Sequence, residues 1–120
     1  MKTKLYHYKA KVNRVIDGDT IDVEIDVGFN FWLHNVKVRF ARINAPETKG
    51  QSKEFGLVTK TYVTSLIEHE TVILHVLKTD DKYGRILADV YYHNVETDTW
   101  INLNQELVEK NLAIPFMTEI

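Results

Sequence analysis

The run Thr20-Ile21-Asp22-Val23-Glu24-Ile25-Asp26-Val27 alternates polar and apolar residues at every step. Successive strand side chains point to opposite faces, so Ile21, Val23, Ile25 and Val27 share one face and need a core to cover it. Upstream, Asp17-Gly18 is a turn signal closing an earlier strand through Val12 and Ile16. Downstream, Val36, Val38 and Phe40 alternate with Lys37 and Arg39, which predicts a third strand with its charged residues turned away from the apolar set.

Pro46 ends this region, because proline cannot donate to a sheet ladder. From about Ser52 the period changes: Phe55, Val58, Tyr62 and Leu66 recur at helical intervals and predict a helix with that stripe buried. Residues 71–77 return to β-branched and apolar types, Asp80-Asp81-Lys82-Tyr83-Gly84 reads as a hairpin turn, and residues 85–92 supply a fifth strand. In the last helix, Asn104 is placed to cap the first turn, Leu103 and Val108 to close a hydrophobic staple, and Asn111 to take the left-handed position at the end. Residues 27–35 are more than a tight hairpin needs, and Phe29, Phe31 and Trp32 are expected to pack over the barrel end, with exposure as a nucleic-acid contact the alternative. Five strands with one helix after the third and another after the fifth give an α+β, mainly β, fold: a five-stranded OB-type β-barrel with two helices. That architecture leaves function open.

At 120 residues the chain has the length of one domain, read as 1–120. The absence of cysteine removes disulfide partners and Cys-based zinc sites, and His7, His34, His69, His75 and His93 show no metalloprotease pairing. Met1 to Tyr8 contain no apolar signal stretch, and no segment reaches the ~20 apolar residues of a membrane helix. The expectation is a soluble, cytoplasmic protein with no membrane partner. Net charge is −2, but residues 1–60 hold eleven Lys/Arg against seven Asp/Glu and residues 61–120 hold four against ten. The first half can therefore form a local phosphate-binding surface.

Three clusters carry potential chemistry: Ile16-Asp17-Gly18-Asp19-Thr20, Arg39-Phe40-Ala41-Arg42-Ile43-Asn44-Ala45-Pro46-Glu47-Thr48, and Asp81-Lys82-Tyr83-Gly84-Arg85. Alone, each reads as a turn or a helix entry. In this order and spacing, from about Lys11 to Ala113, they resemble the staphylococcal nuclease (thermonuclease) family. The resemblance implies a calcium-dependent endonuclease that hydrolyses DNA and RNA, prefers single strands and leaves 3′-phosphates. It further implies that Asp19, Asn44 and the Ala45 carbonyl hold Ca2+, that Glu47 is the general base, that Arg39 and Arg85 stabilise the phosphoryl charge, and that Lys82 and Tyr83 contact the nucleotide. Hard oxygen ligands suit calcium, and guanidinium groups grip phosphate with paired donors at any working pH.

The chain departs from the family pattern twice. Asn44 stands where the family has a second metal-binding Asp, which removes one negative charge and predicts weaker calcium binding. Phe116 and Met117 stand near where the family has two tyrosines, and the family's third, C-terminal helix has no sequence here. Asn44 also supports an alternative, a catalytically silent OB module that binds nucleic acid or protein.

Overall fold

A computed structural model describes residues 5–79 and 81–116. Five strands form a closed barrel: β1 (His7–Asp17), β2 (Thr20–Gly28), β3 (Phe31–Phe40), β5 (Thr71–Lys78) and β6 (Ile86–Asn94). β1 pairs antiparallel with β2 and β5, β2 with β3, and β5 with β6. Closure is parallel, with Val38 opposite Ile86 and Phe40 opposite Ala88. A closed ring leaves no continuous strand edge for other chains to pair with. Short β4 (Ile43–Asn44) and β8 (Ile114–Pro115) pair outside the barrel, and β7 (Thr99–Asn102) extends β6; the alternation pattern foreshadowed none of these three.

Ile21, Val23 and Ile25 fill the barrel as their alternation predicts, beside Val38, Phe40, Val72, Leu74 and Val90, whereas Val27, expected on the same face, is exposed where the register shifts. In β1 a register shift at Asn13 inserts one residue, which lets both Val12 and Val15 face inward. α1 (Lys53–Ile67) lies between β3 and β5 in the chain and presses Val63 and Ile67, both fully buried, against the core. Burying each such side chain contributes roughly 1.5–3 kcal/mol.

The buried stripe of α1 is Gly56, Thr59, Val63 and Ile67, one position on from the expected one; Phe55 is 71% exposed and Val58 is also exposed, while Tyr62 and Leu66 flank the core. The helix turns this way because it crosses close over the 44–48 segment: a Cβ at Gly56 would lie 2.1 Å from the Glu47 carbonyl oxygen. Only glycine allows that approach.

Residues 27–35 are also corrected. β2 and β3 continue to a two-residue turn in which Phe29 (φ 57°) and Asn30 (φ 64°) are both left-handed, as a type I′ hairpin demands. The arm runs past the barrel instead of folding over it, leaving Phe29 94% exposed and Phe31 and Trp32 exposed as well.

α2 (Leu103–Glu109) is capped by Asn102, whose side chain accepts from the Gln105 backbone N–H at 3.1 Å. Asn104, expected as the cap, is buried inside the helix and brackets the barrel. Its Oδ1 accepts from Val90 N–H at 3.0 Å, and its Nδ2 reaches the carbonyls of Ala41 at 2.9 Å and Ala88 at 3.1 Å. With the cap at Asn102, Leu103 and Val108 form no staple; Leu103 is core. The end of α2 is as expected. Asn111 is left-handed (φ 60°), its N–H donates to Val108 O and that of Leu112 to Leu107 O, which is a Schellman closure.

Candidate active site

Three chain segments meet at one end of the barrel because of two pairings. β2 opposite β3 sets Thr20 against Arg39, which brings the Asp17-Gly18-Asp19 turn beside the end of β3. β3 beside β6 sets Arg39 against Leu87, so Arg85, the residue just before β6, lies at the same end of the barrel.

Asp19 is buried at the centre. Its Oδ2 accepts the Ala45 backbone N–H at 2.8 Å and lies 3.4 Å from Arg39 Nη1, while its Oδ1 accepts the Thr20 hydroxyl at 3.1 Å. The Arg39 side chain, 13% exposed, donates from Nη1 to the carbonyls of Phe40 at 2.9 Å and Ile43 at 3.0 Å, and from Nη2 to Asn44 Oδ1 at 3.0 Å. Burial pushes this guanidinium below its usual value, the Asp19 charge opposes that, and the Arg85 charge adds to it. It stays cationic at any working pH.

Arg85 is organised by its own turn. Asp81 Oδ1 accepts backbone N–H bonds from Tyr83 and Arg85, both at 2.8 Å, and Oδ2 accepts Arg85 Nε at 2.9 Å. Burial raises the Asp81 carboxyl, but these donors outweigh it and hold the group below the usual carboxylate range. Gly84 takes φ +74°, which closes the turn; Asp80, read as its first residue, lies outside the described residues. Tyr83, 68% exposed, has the Arg85 guanidinium 4.9 Å from its ring centre and Lys82 Nζ at 5.3 Å.

Glu47 is exposed on the segment after Asn44. Its backbone is fixed from below, where Ser52 Oγ donates to its carbonyl at 3.3 Å and Gly56 approaches the same oxygen. On either side the two aspartates of the turn take one donor each: Asp19 from Ala45 N–H, and Asp17 from Thr48 Oγ1 at 2.9 Å. Direct contacts thus join Asp19, Arg39, Asn44 and Ala45, and charge couples Arg85 to Arg39. Lys82 and Tyr83 flank Arg85 on the loop. Sequence reasoning gave Asp17 and Thr48 no role. Both lie inside the quoted clusters, but their bond joins residues 31 apart and has no local signal.

The donors suit a hard divalent cation. The Asp19 carboxylate and the Asn44 amide oxygen both contact the Arg39 guanidinium, which bridges these two hard oxygens. Among the described residues no three His, Cys, Asp or Glu side chains converge, so such a site would rely on Asn44 and backbone oxygen beside one carboxylate. Among them too, no helix is long and apolar enough to cross a membrane.

A family model described as staphylococcal nuclease homologue matches residues 37–119. The chain is 32% identical over 116 residues to endonuclease YhcR of Bacillus subtilis, covering 88% of this chain and 9% of that protein. It is 33% identical over 110 residues to a micrococcal nuclease of Shigella flexneri, covering 88% and 57%. A protein of Methanocaldococcus jannaschii is 29% identical over 129 residues, covering 89% and 58%. The chain thus spans less than two thirds of the length of each of these relatives.

Proposed function

The chain belongs to the staphylococcal nuclease homologue family, and we propose on that premise that it is a calcium-dependent endonuclease hydrolysing the phosphodiester bonds of DNA and RNA. The observation that carries the reading is the contact of one guanidinium, that of Arg39, with both Asp19 and Asn44, with the Arg85 charge acting on it from the start of β6. That arrangement offers cationic donors and hard oxygens to a single phosphate.

Asp19, Asn44 and the Ala45 carbonyl would hold the cation, which when bound draws charge from the phosphate and eases ionisation of water. Glu47, exposed beside these groups, takes a proton from the attacking water. Arg39 and Arg85 donate to the non-bridging oxygens as charge builds there. Attack breaks the bond from phosphorus to the 5′ oxygen, which leaves as a hydroxyl after taking a proton; the other product ends in a 3′-phosphate. Tyr83, exposed and backed by Arg85 and Lys82, offers a ring face on which an unpaired base can stack, which favours single strands.

A fluorogenic single-stranded DNA assayed with calcium and then with chelator tests this. Chelator-sensitive cleavage supports the enzyme. Binding without turnover selects a silent OB module, the second reading, for which the neutral Asn44 in place of an acid is the specific observation.

A further inference from the structure

The segment carrying Glu47 is held more firmly than its surroundings require. Glu47, Lys49 and Gly50 are exposed, and beyond the Ser52 and Gly56 contacts at the Glu47 carbonyl no core packing fixes them. Yet the two carboxylates of Asp17-Gly18-Asp19 each capture one donor on either side of Pro46-Glu47: Asp19 the Ala45 N–H at 2.8 Å, and Asp17 the Thr48 hydroxyl at 2.9 Å. The turn sits tightly on what lies beneath it. A Cβ at Gly18 would fall 2.6 Å from Thr59 Cγ2 and 3.1 Å from Ala45 Cβ. The two anchor points therefore keep a fixed separation, with Glu47 suspended between them.

We propose that Asp17 and Thr48 are a positioning pair for Glu47: their side-chain bond fixes the segment so that the Glu47 carboxylate meets the attacking water. This rests on the reading of Glu47 as the general base. The Ala45–Asp19 bond restrains one flank and serves other purposes as well, because Asp19 also faces Arg39. The Thr48–Asp17 bond restrains the other flank, adjacent to Glu47 in sequence. Losing it removes that restraint, and a misplacement of about an ångström at a reacting group costs on the order of 10²-fold in rate.

The test is steady-state kinetics on single-stranded DNA with calcium, using full-length protein. Thr48→Val, which keeps the shape and removes the hydroxyl, is expected to lower kcat about 10- to 100-fold with KM nearly unchanged. Thr48→Ser, which restores the hydroxyl, recovers most of the loss. Asp17→Asn keeps an accepting oxygen and stays well above Asp17→Ala; the Asp17→Ala/Thr48→Val double variant is no worse than the poorer single one. In a Glu47→Gln background, Thr48→Val brings no further loss. Wild-type kcat in Thr48→Val, or equal losses with and without the Glu47 carboxylate, overturns the pair while leaving Glu47 in place. An Asp17→Asn loss as deep as Asp17→Ala overturns it too, since charge rather than the bond would then be at work. Near-normal cleavage by Glu47→Gln alone removes the base, and the proposal with it.

Discussion

Arg39 donates to Asn44 across 3.0 Å, from the same guanidinium that lies 3.4 Å from Asp19. The amide oxygen is thus engaged by the Arg39 guanidinium, and it brings no charge of its own. Asn44→Asp is expected to lower the calcium concentration for half-maximal cleavage by roughly tenfold, because calcium affinity follows ligand charge. Isothermal titration with calcium gives the same comparison without turnover. Equal half-saturation in the two proteins would show that position 44 is no ligand.

The two arginines differ in what else they hold, so their replacements should separate. Among the described residues Arg85 bonds within its own turn, to Asp81 and the Tyr83 ring, and Arg85→Ala is expected to lose on the order of 10²–10³ in kcat with little change in melting temperature. Arg39 also joins the carbonyls of Phe40 and Ile43 to Asn44 and Asp19. Arg39→Ala should therefore lose activity and also about 1–3 kcal/mol of stability, since it strips buried acceptors of their donor. Melting curves that move equally for both variants would contradict this division.

Glu47→Gln keeps the size of the side chain and its backbone anchors, so the fold should survive while most cleavage disappears. Circular dichroism and a single-turnover assay check the two halves of this expectation. Activity within a few-fold of the parent would take Glu47 out of the chemistry.

How far the sequence carries depends on whether a feature is periodic. The inward set Ile21, Val23 and Ile25 was legible because alternation is a property of the strand itself. The stripe of α1 was misphased because two of its inward residues, Gly56 and Thr59, are not hydrophobic; they are small, so that the helix can approach Glu47 and the Asp17-Gly18-Asp19 turn. The arm was misread because both an extra residue in β3, near the left-handed Asn35, and two aromatic-flanked turn positions are invisible to a count of alternations. At the candidate site the clusters announced Asp19, Arg39, Asn44, Glu47 and Arg85. The contacts that draw the first three together, and the Thr48–Asp17 bond, cross the chain and could only be seen once it was folded.

Asn104 shows the same gap in energetic terms. At 3% exposure its amide satisfies Val90 N–H and two carbonyls, and lies 3.2 Å from Asp89 Oδ1, stitching α2 to β6 and to the end of β3. Asn104→Ala leaves those groups buried and unpaired, and is expected to cost about 2–4 kcal/mol. Urea unfolding measures it; a loss below about 0.5 kcal/mol would mean that water replaces the amide.

Acid should weaken the protein through the outer face of β2 and β3. Glu24 is held down to about 2, from an ordinary 4.5, by the His34 ring, the Asn35 backbone N–H at 2.7 Å and Asn13 at 2.9 Å. Next to it, burial raises Asp22 but Lys37 and Asn13 more than compensate, so its carboxyl too lies below its usual value. Both folded carboxyls release their protons more readily than the unfolded ones do. Their contribution is therefore fully present above the unfolded pKa and is lost as pH falls, for Glu24 between about 4.5 and 2. The urea midpoint should decline across that interval, and Glu24→Gln should decline less steeply because it has no proton to gain. Parallel profiles for parent and variant would show that the Glu24–His34 contact does not hold in solution.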